Sequence, residues 1–235
     1  MSFKENTIND ITFMTASNIS TTHGFSTRSG SVRRALDIIE DDIVCLRQVH
    51  STNVFAVGTE HRGKALKPSA EGDALLTNQP NVALVVFTAD CVPILLHDPV
   101  KNVIGAVHAG WRGTANDIMA KAVEKMKEEY DCSPSDIKAA IGPCISKCCY
   151  ETGKDVADVI SSYEYTGGKY MVDLKEANRI SLINSGVTDI EISDDCTSCK
   201  NDKYWSHRVA GTKRGIQAAI ITLTSHTPVC RHCEE

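Results

Sequence analysis

Apolar and polar positions along this chain follow two patterns that alternate from one end to the other. Runs dense in β-branched and aliphatic residues occur near 43–49, 53–57, 82–87, 92–97, 103–108, 137–141, 189–192 and 216–223. Their lengths, and the turn-forming residues that bound them, predict strands. Over 115–130 the period becomes helical: Ile118, Met119, Ala122, Val123, Met126 and Tyr130 fall on one stripe. The preceding "TAND" (114–117) resembles a capping box with Asp in place of the usual Glu or Gln. Two further helices are predicted over 153–162 and 174–184, the second ended by Gly186. No repeat, low-complexity tract or linker interrupts the series. The pattern predicts a mixed α/β fold in a single domain, 1–235, with many adjacent antiparallel strands and with 1–10 and 226–235 as flexible tails.

One pair of predicted strands carries candidate chemistry. In "TADCVPILLHDPVKNVIGAVHAGWRG" (88–113) the segment "HDPVKN" reads as a turn between two apolar runs. With the turn centred between Pro99 and Val100, Cys91 stands directly opposite His108. Opposed residues share a face with Cβ atoms about 4.5–5.5 Å apart. That separation suits a thiolate and an imidazole on one Zn²⁺, whose bonds are about 2.0–2.3 Å. A slip of one residue would send the two side chains to opposite faces. A third ligand is needed, and His50 in "RQVHST" is a candidate; His23, His61, His97 and His207 compete with it on spacing. Three protein ligands leave one coordination position open, as in catalytic zinc. After His108, "GWRGT" feeds into the predicted helix, so Arg112 and free backbone N–H groups form a candidate anion site. Asp90, beside Cys91, is either a strand-end cap or a partner of a ligating histidine.

Charge and composition narrow the function classes. A net charge of −5 with no basic cluster argues against nucleic acid as a partner. No apolar run approaches the roughly 20 residues that span a bilayer. The opening "MSFKENTIND" lacks the apolar core of a secretory signal, so a cytoplasmic protein is expected. Ten cysteines then read as thiols or metal ligands rather than a disulfide framework. They cluster at Cys144, Cys148 and Cys149, at Cys196 and Cys199, and at Cys230 and Cys233. The last two pairs are elements of a Cys₄ zinc site, although the 30 residues between Cys199 and Cys230 exceed the usual spacing of about 15–20.

The segments "HGFSTRSG", "QVHS", "EGDALLT", "TADCVPILL", "AVHAGWRGT", "IGPCISKCCYE", "CTSC" and "YWSHR" occur here in order. Together they resemble the laccase-domain family, also labelled polyphenol oxidases and viewed as zinc-containing purine nucleoside phosphorylases. The resemblance spans roughly 25–221 and implies an α/β layered sandwich of mixed, largely antiparallel sheets flanked by helices. It implies His50, Cys91 and His108 as metal ligands, choosing His50 over its competitors. By the same resemblance Arg28 faces substrate or phosphate, and Asp73 and Gln48 line the pocket. "RSGSV" departs from the family's usual "RxGGVS", Val209 stands where a second arginine is common, and "CRHC" has no counterpart.

The resemblance implies one catalytic domain with two chemistries at one pocket. In phosphorolysis, phosphate attacks C1′ of adenosine, inosine or methylthioadenosine, with Arg28 and then Arg112 as its expected partners. In adenosine deamination, the metal activates water and Asp73 is the candidate proton shuttle. Three alternatives compete. A copper phenol oxidase is disfavoured by the lack of any His-X-His pair. A cysteine hydrolase would use Cys91 and His108 as nucleophile and base. A non-enzymatic zinc-binding protein would rest on the C-x₂-C pairs.

Overall fold

The computed structural model describes residues 3–63 and 70–223, which form two six-stranded sheets, a small third sheet and short helices. The first sheet runs β1 (Lys4–Ile8), β2 (Ile11–Thr15), β3 (Thr22–Ser26), β15 (Gln217–Thr222), β7 (Ala83–Thr88), β4 (Ile43–Val44). The second runs β14 (Asp189–Ile192), β10 (Lys138–Ile141), β8 (Val92–Asp98), β9 (Val103–Ala109), β6 (Ala74–Thr77), β5 (Val54–Ala56). Pairing is antiparallel except for β4 with β7, β5 with β6 and β10 with β14. The third sheet joins β11 (Glu151–Thr152), β13 (Lys169–Val172) and β12 (Tyr163–Thr166).

The sheets stack face to face between layers of helix. Leu75, Leu95, Ile104 and Ala140 of the second sheet meet Leu84, Val86, Ala219 and Ile221 of the first. On its other face the second sheet packs Val92, Ile94 and Leu96 against Ile118, Met119 and Met126 of α3 (Ile118–Tyr130). The helices α4 (Lys154–Ile160) and α5 (Leu174–Asn184) extend that layer. The first sheet's outer face is covered by α1 (Val32–Ala35). A sheet covered on both faces needs apolar side chains at every position, and every residue of β8 and β9 is buried. The layered α/β sandwich with largely antiparallel sheets is thus as expected.

Three expectations are corrected. Residues 4–8 are not a tail: they pair along their length with β2. The helix predicted over 115–130 is two helices, α2 (Trp111–Ala115) and α3, broken where Asp117 adopts φ +60°. "TAND" makes no capping box because α5 takes both side chains: Asn178 donates to Thr114 Oγ1 at 3.0 Å, and Ser181 donates to Asp117. The third correction is the hairpin. Pro93, not Cys91, pairs with His108, because the loop is 99–102. Asp98 Oδ1 fixes it by accepting the Val100 and Lys101 N–H groups at 2.8 and 2.9 Å, and Asn102 turns back at φ +55°. The displacement is an even number of residues, so Cys91 and His108 keep a common face and become diagonal neighbours.

Residues 226–235 lie outside the described residues, and with them Cys230 and Cys233. Among the described residues, no helix is long and apolar enough to cross a membrane.

Leu95 is fully buried at the centre of the inter-sheet core. Leu95→Ala is expected to destabilise the fold by about 2–5 kcal/mol, read as a lower urea midpoint; an unchanged midpoint would contradict the sheet-on-sheet packing.

Candidate functional site

The site begins with one carboxylate. Asp73 precedes β6 and stands opposite His108 near the end of β9, whose N–H donates to the Asp73 carbonyl at 2.7 Å. The side chains meet as well, with His108 Nδ1 2.8 Å from Asp73 Oδ1. The same carboxylate gathers the loop that carries His50. Oδ2 accepts the N–H groups of Val49 (3.3 Å) and Ser51 (2.6 Å) and the Ser51 hydroxyl (2.8 Å); Oδ1 accepts the His50 N–H at 3.1 Å. Successive N–H groups converge on an anion when the chain enters the left-handed region, and His50 has φ +60°. Asp73 therefore positions two histidines from distant parts of the sequence at once.

Cys91 completes the group, at the entry to β8. Its Sγ lies 3.8 Å from His50 Nε2, and the His50 and His108 rings meet edge-on with centroids 4.9 Å apart. One donor atom from each of the three lies within 4.8 Å of the other two. Gly110 makes the approach feasible: a Cβ there would stand 2.5 Å from His50 Cδ2 and 3.3 Å from Cys91 Sγ.

Electrostatics suit metal binding. Burial raises the Cys91 pKa, but hydrogen bonds and charge from His108 and His50 outweigh it and bring the thiol down to about 6. Burial opposes the charged form of His108, yet Asp73 and Cys91 raise its pKa to about 9. Burial likewise opposes ionisation of Asp73, and the bonds from His108 and Ser51 overcome it, so its pKa is lowered. With Nδ1 committed to Asp73, His108 presents Nε2 toward Cys91; at a pKa of about 9 that nitrogen carries a proton that a metal ion would displace. One thiolate and two imidazoles are donors that a transition metal accepts. The residues present fit such an ion.

A cavity of about 270 Å³ opens over His50 and Cys91. Trp111, Ile145, Tyr150 and Leu174 give it apolar walls; Arg112, His207, Arg208 and Arg214 give it a cationic side. Arg112 stacks over Trp111 at 4.2 Å. Arg208 donates to the carbonyls of Cys149 (3.3 Å) and Glu151 (2.9 Å), and Arg214 donates to His207 Nδ1 at 3.2 Å. Asp90 fastens the far wall: it accepts from the Thr197 and Ser206 hydroxyls and, at 2.7 Å, from the Arg208 N–H.

The structure thus brings together His50, Cys91, His108 and Arg112, and redistributes the other expected residues. Asp73 does not line the pocket; it is fully buried, and both oxygens already accept hydrogen bonds, which leaves no room for a proton shuttle. Gln48 is taken up by the Phe87 backbone, accepting its N–H and donating to its carbonyl, each at 2.7 Å. Arg28 lies 3.7 Å over the Trp205 ring in a separate hollow, bonded to the Asn201 carbonyl. Asp90 acts on the loop before α6 (His207–Ala210) rather than on a histidine. Among the competing histidines, His23 and His97 are buried between the sheets, and burial takes His97 down to about 4. His61 accepts the Gly58 N–H, and His207 lines the cavity. Sequence reasoning passed over Tyr150, His207, Arg208 and Arg214 as pocket residues. "CCYE" and "YWSHR" flagged the segments of the first three, without a spacing that pointed to Cys91. Cys196 and Cys199 lie beside Cys148 and Cys149.

Known proteins share these features. The family model described as multi-copper polyphenol oxidoreductase laccase matches residues 23–224. Purine nucleoside phosphorylase YlmD of Geobacillus stearothermophilus is 38% identical over 194 residues, covering 76% of this chain and 71% of that protein. Adenosine deaminase RL5, from an unknown prokaryotic organism, is 34% identical over 191 residues, covering 74% of this chain and 72% of that protein. The crystal structure of YlmD from Geobacillus stearothermophilus superposes with a TM-score of 0.87 at 29% identity, covering 94% of this chain and 99% of that one. A match over most of the sequence, carried on the same layered fold, means that the chain belongs to the multi-copper polyphenol oxidoreductase laccase family.

Proposed function

We propose that this chain is a purine nucleoside phosphorylase that also deaminates adenosine, working at a zinc ion held by His50, Cys91 and His108. The observation that carries the reading is one cavity with His50 and Cys91 in its lining, buried His108 within 4.8 Å of both, and Arg112, Arg208 and Arg214 on its side. The names of the two relatives, a phosphorylase and a deaminase, support it. Adenosine, inosine and methylthioadenosine are the substrates, with inorganic phosphate. Two imidazoles and one thiolate with an open position suit catalytic zinc. The same three donors make a blue-copper site when a weak axial methionine joins them, and among the described residues the cavity lining holds no methionine. Free cysteines throughout the described residues fit a reducing compartment, the cytoplasm.

Zinc at this triad supplies Lewis-acid polarisation and acidifies water. The chain's own groups bind and orient. The guanidinium groups hold phosphate through charge-assisted hydrogen bonds, and the flat faces of Trp111 and Tyr150 suit a purine. In phosphorolysis a phosphate oxygen bonds to C1′ as the C1′–N9 bond breaks; that electron pair leaves with the base, which takes up a proton. The transition state is oxocarbenium-like, so holding the anion close to C1′ is the main contribution of the protein. Asp73 is a positioning residue, fixing the His108 ring and the His50 loop.

Cys91, His108 and Asp73 also stand in the order nucleophile, base and orienting acid. Metal content separates the readings: activity in metal-free protein, lost to a thiol alkylator, would favour a cysteine hydrolase.

The defining experiment counts metal in the purified chain and follows hypoxanthine release from inosine with and without phosphate. His50→Ala and Cys91→Ser are each expected to lose the ion and the phosphate-dependent release; full occupancy and activity in either would overturn the ligand assignment. Asp73→Asn should weaken metal binding about 10–100-fold, measured by competition with a chelator; unchanged affinity would contradict its positioning role. Arg208→Ala should lower kcat/KM for phosphate roughly 10–100-fold. Arg28→Ala, in a different hollow, should leave that constant little changed, and the opposite ranking would return the anion site to Arg28.

A further inference from the structure

Four thiols that this mechanism does not use meet on the flank of the pocket. Cys148 and Cys149 lie in the turn after β10, Cys196 and Cys199 in the loop after β14. Parallel pairing of β10 with β14 sends both loops off the same end of the sheet, and an isolated backbone β-bridge at Cys144 and Cys196, both free thiols, zips their bases together. The Thr197 N–H donates to the Cys144 carbonyl at 3.0 Å. Cys199 Sγ then lies 3.5 Å from Cys148 Sγ and 3.3 Å from Cys149 Sγ, which are 3.8 Å from each other. All four sulfurs, Cys196 included, fall within 4.8 Å of one another.

These separations have a specific chemical match. Four sulfurs tetrahedrally placed about 2.3 Å from zinc stand about 3.8 Å apart. The buried member, Cys196, receives the Ser146 N–H at 3.3 Å and further backbone N–H groups from Ser198 and Cys199. N–H groups turned onto sulfur from within a C-x₂-C turn are the outer support of a thiolate metal centre. Cys144 is not a member, since its Sγ is turned toward the Ile145 carbonyl at 3.4 Å.

We propose that Cys148, Cys149, Cys196 and Cys199 bind a second, structural zinc ion, distinct from the ion at His50, Cys91 and His108. With four thiolate ligands the site is closed, and no position is left for substrate. Its effect reaches the pocket through the backbone. The Cys149 and Glu151 carbonyls hold the Arg208 guanidinium, and Tyr150 between them forms part of the wall. Cross-linking the 148–149 turn to the 196–199 loop therefore fixes the support on which Arg208 rests. Sequence spacing offers Cys230 and Cys233 only as alternative partners of Cys196 and Cys199, and those two lie outside the described residues.

The test counts zinc by mass spectrometry in the full chain produced with added zinc, with circular dichroism as the check on folding. The wild-type chain should hold about two zinc ions, and Cys148→Ser and Cys199→Ser should each hold about one. His50→Ala should lose the other ion and keep this one, so failure of either site is read separately. Replacing zinc by cobalt(II) in the wild-type chain should give the intense thiolate charge-transfer absorption of a tetrathiolate centre. That absorption should survive in His50→Ala and vanish in Cys199→Ser. The proposal falls on any of four results: one zinc per wild-type chain that is lost in His50→Ala, two zinc ions in the Cys148→Ser/Cys199→Ser double variant, iron in place of zinc, or a disulfide among the four cysteines. It falls equally if Cys230→Ser/Cys233→Ser, and not Cys199→Ser, removes the second ion.

Discussion

The buried carboxylate of Asp73 is the constraint on which the site depends. An ionised group without solvent contact is stable in a protein only when its charge is matched and its lone pairs are filled. Here the imidazole of His108 matches the charge, and three backbone N–H groups and one hydroxyl fill the rest. Satisfying that one anion fixes the ring orientation of His108 on β9 and bends 49–51 so that His50 leaves the chain at φ +60°. The left-handed residue, unusual for histidine, is thus held by the hydrogen bonds of its own neighbours. Glycine at 110 then lets the His50 ring close over the end of β9.

The layered core explains why this constellation is rigid. β8 and β9 are buried on both faces, between the first sheet and α3, so their ends move only with the whole sandwich. Cys91 and His108 sit at those ends, Cys91 facing the cavity and His108 buried behind it. The cationic side of the cavity comes from α2, which carries Arg112 directly after β9, and from α6 and the turn after it, which carry His207, Arg208 and Arg214. Asp90 connects the two regions, since it precedes Cys91 and accepts the Arg208 N–H. The four thiols lie where the loops after β10 and β14 meet.

Much of this was legible in the residues. The alternation of apolar runs and helical stripes marked half the strands of the first sheet, all but one of the second, and the long helix, because strands covered on both faces are largely apolar. Strands β1–β3, the segment Ala74–Thr77 and the small third sheet were missed. β1 is mostly exposed and β12 entirely so, which gives them no apolar signature. The association of Cys91 with His108 survived an error in hairpin register because face depends on parity and the displacement was even. His50, by contrast, could not be separated from other histidines by spacing, since what selects it is a contact with Asp73 across 23 positions of sequence.

The sequence by itself determined the element types, the common face of Cys91 and His108, and the family. These follow from local periodicity and from motifs read in order along one dimension. The tertiary structure alone decided the role of each charged group. It turned Asp73 from a pocket acid into the brace of two histidines, moved Arg28 into a hollow of its own, and brought Arg208 and Arg214 to the cavity. It also joined Cys196 and Cys199 to Cys148 and Cys149. The physical reason is that hydrogen bonds, ion pairs and metal sites are satisfied in three dimensions, by whichever groups the packed sheets deliver to the same point.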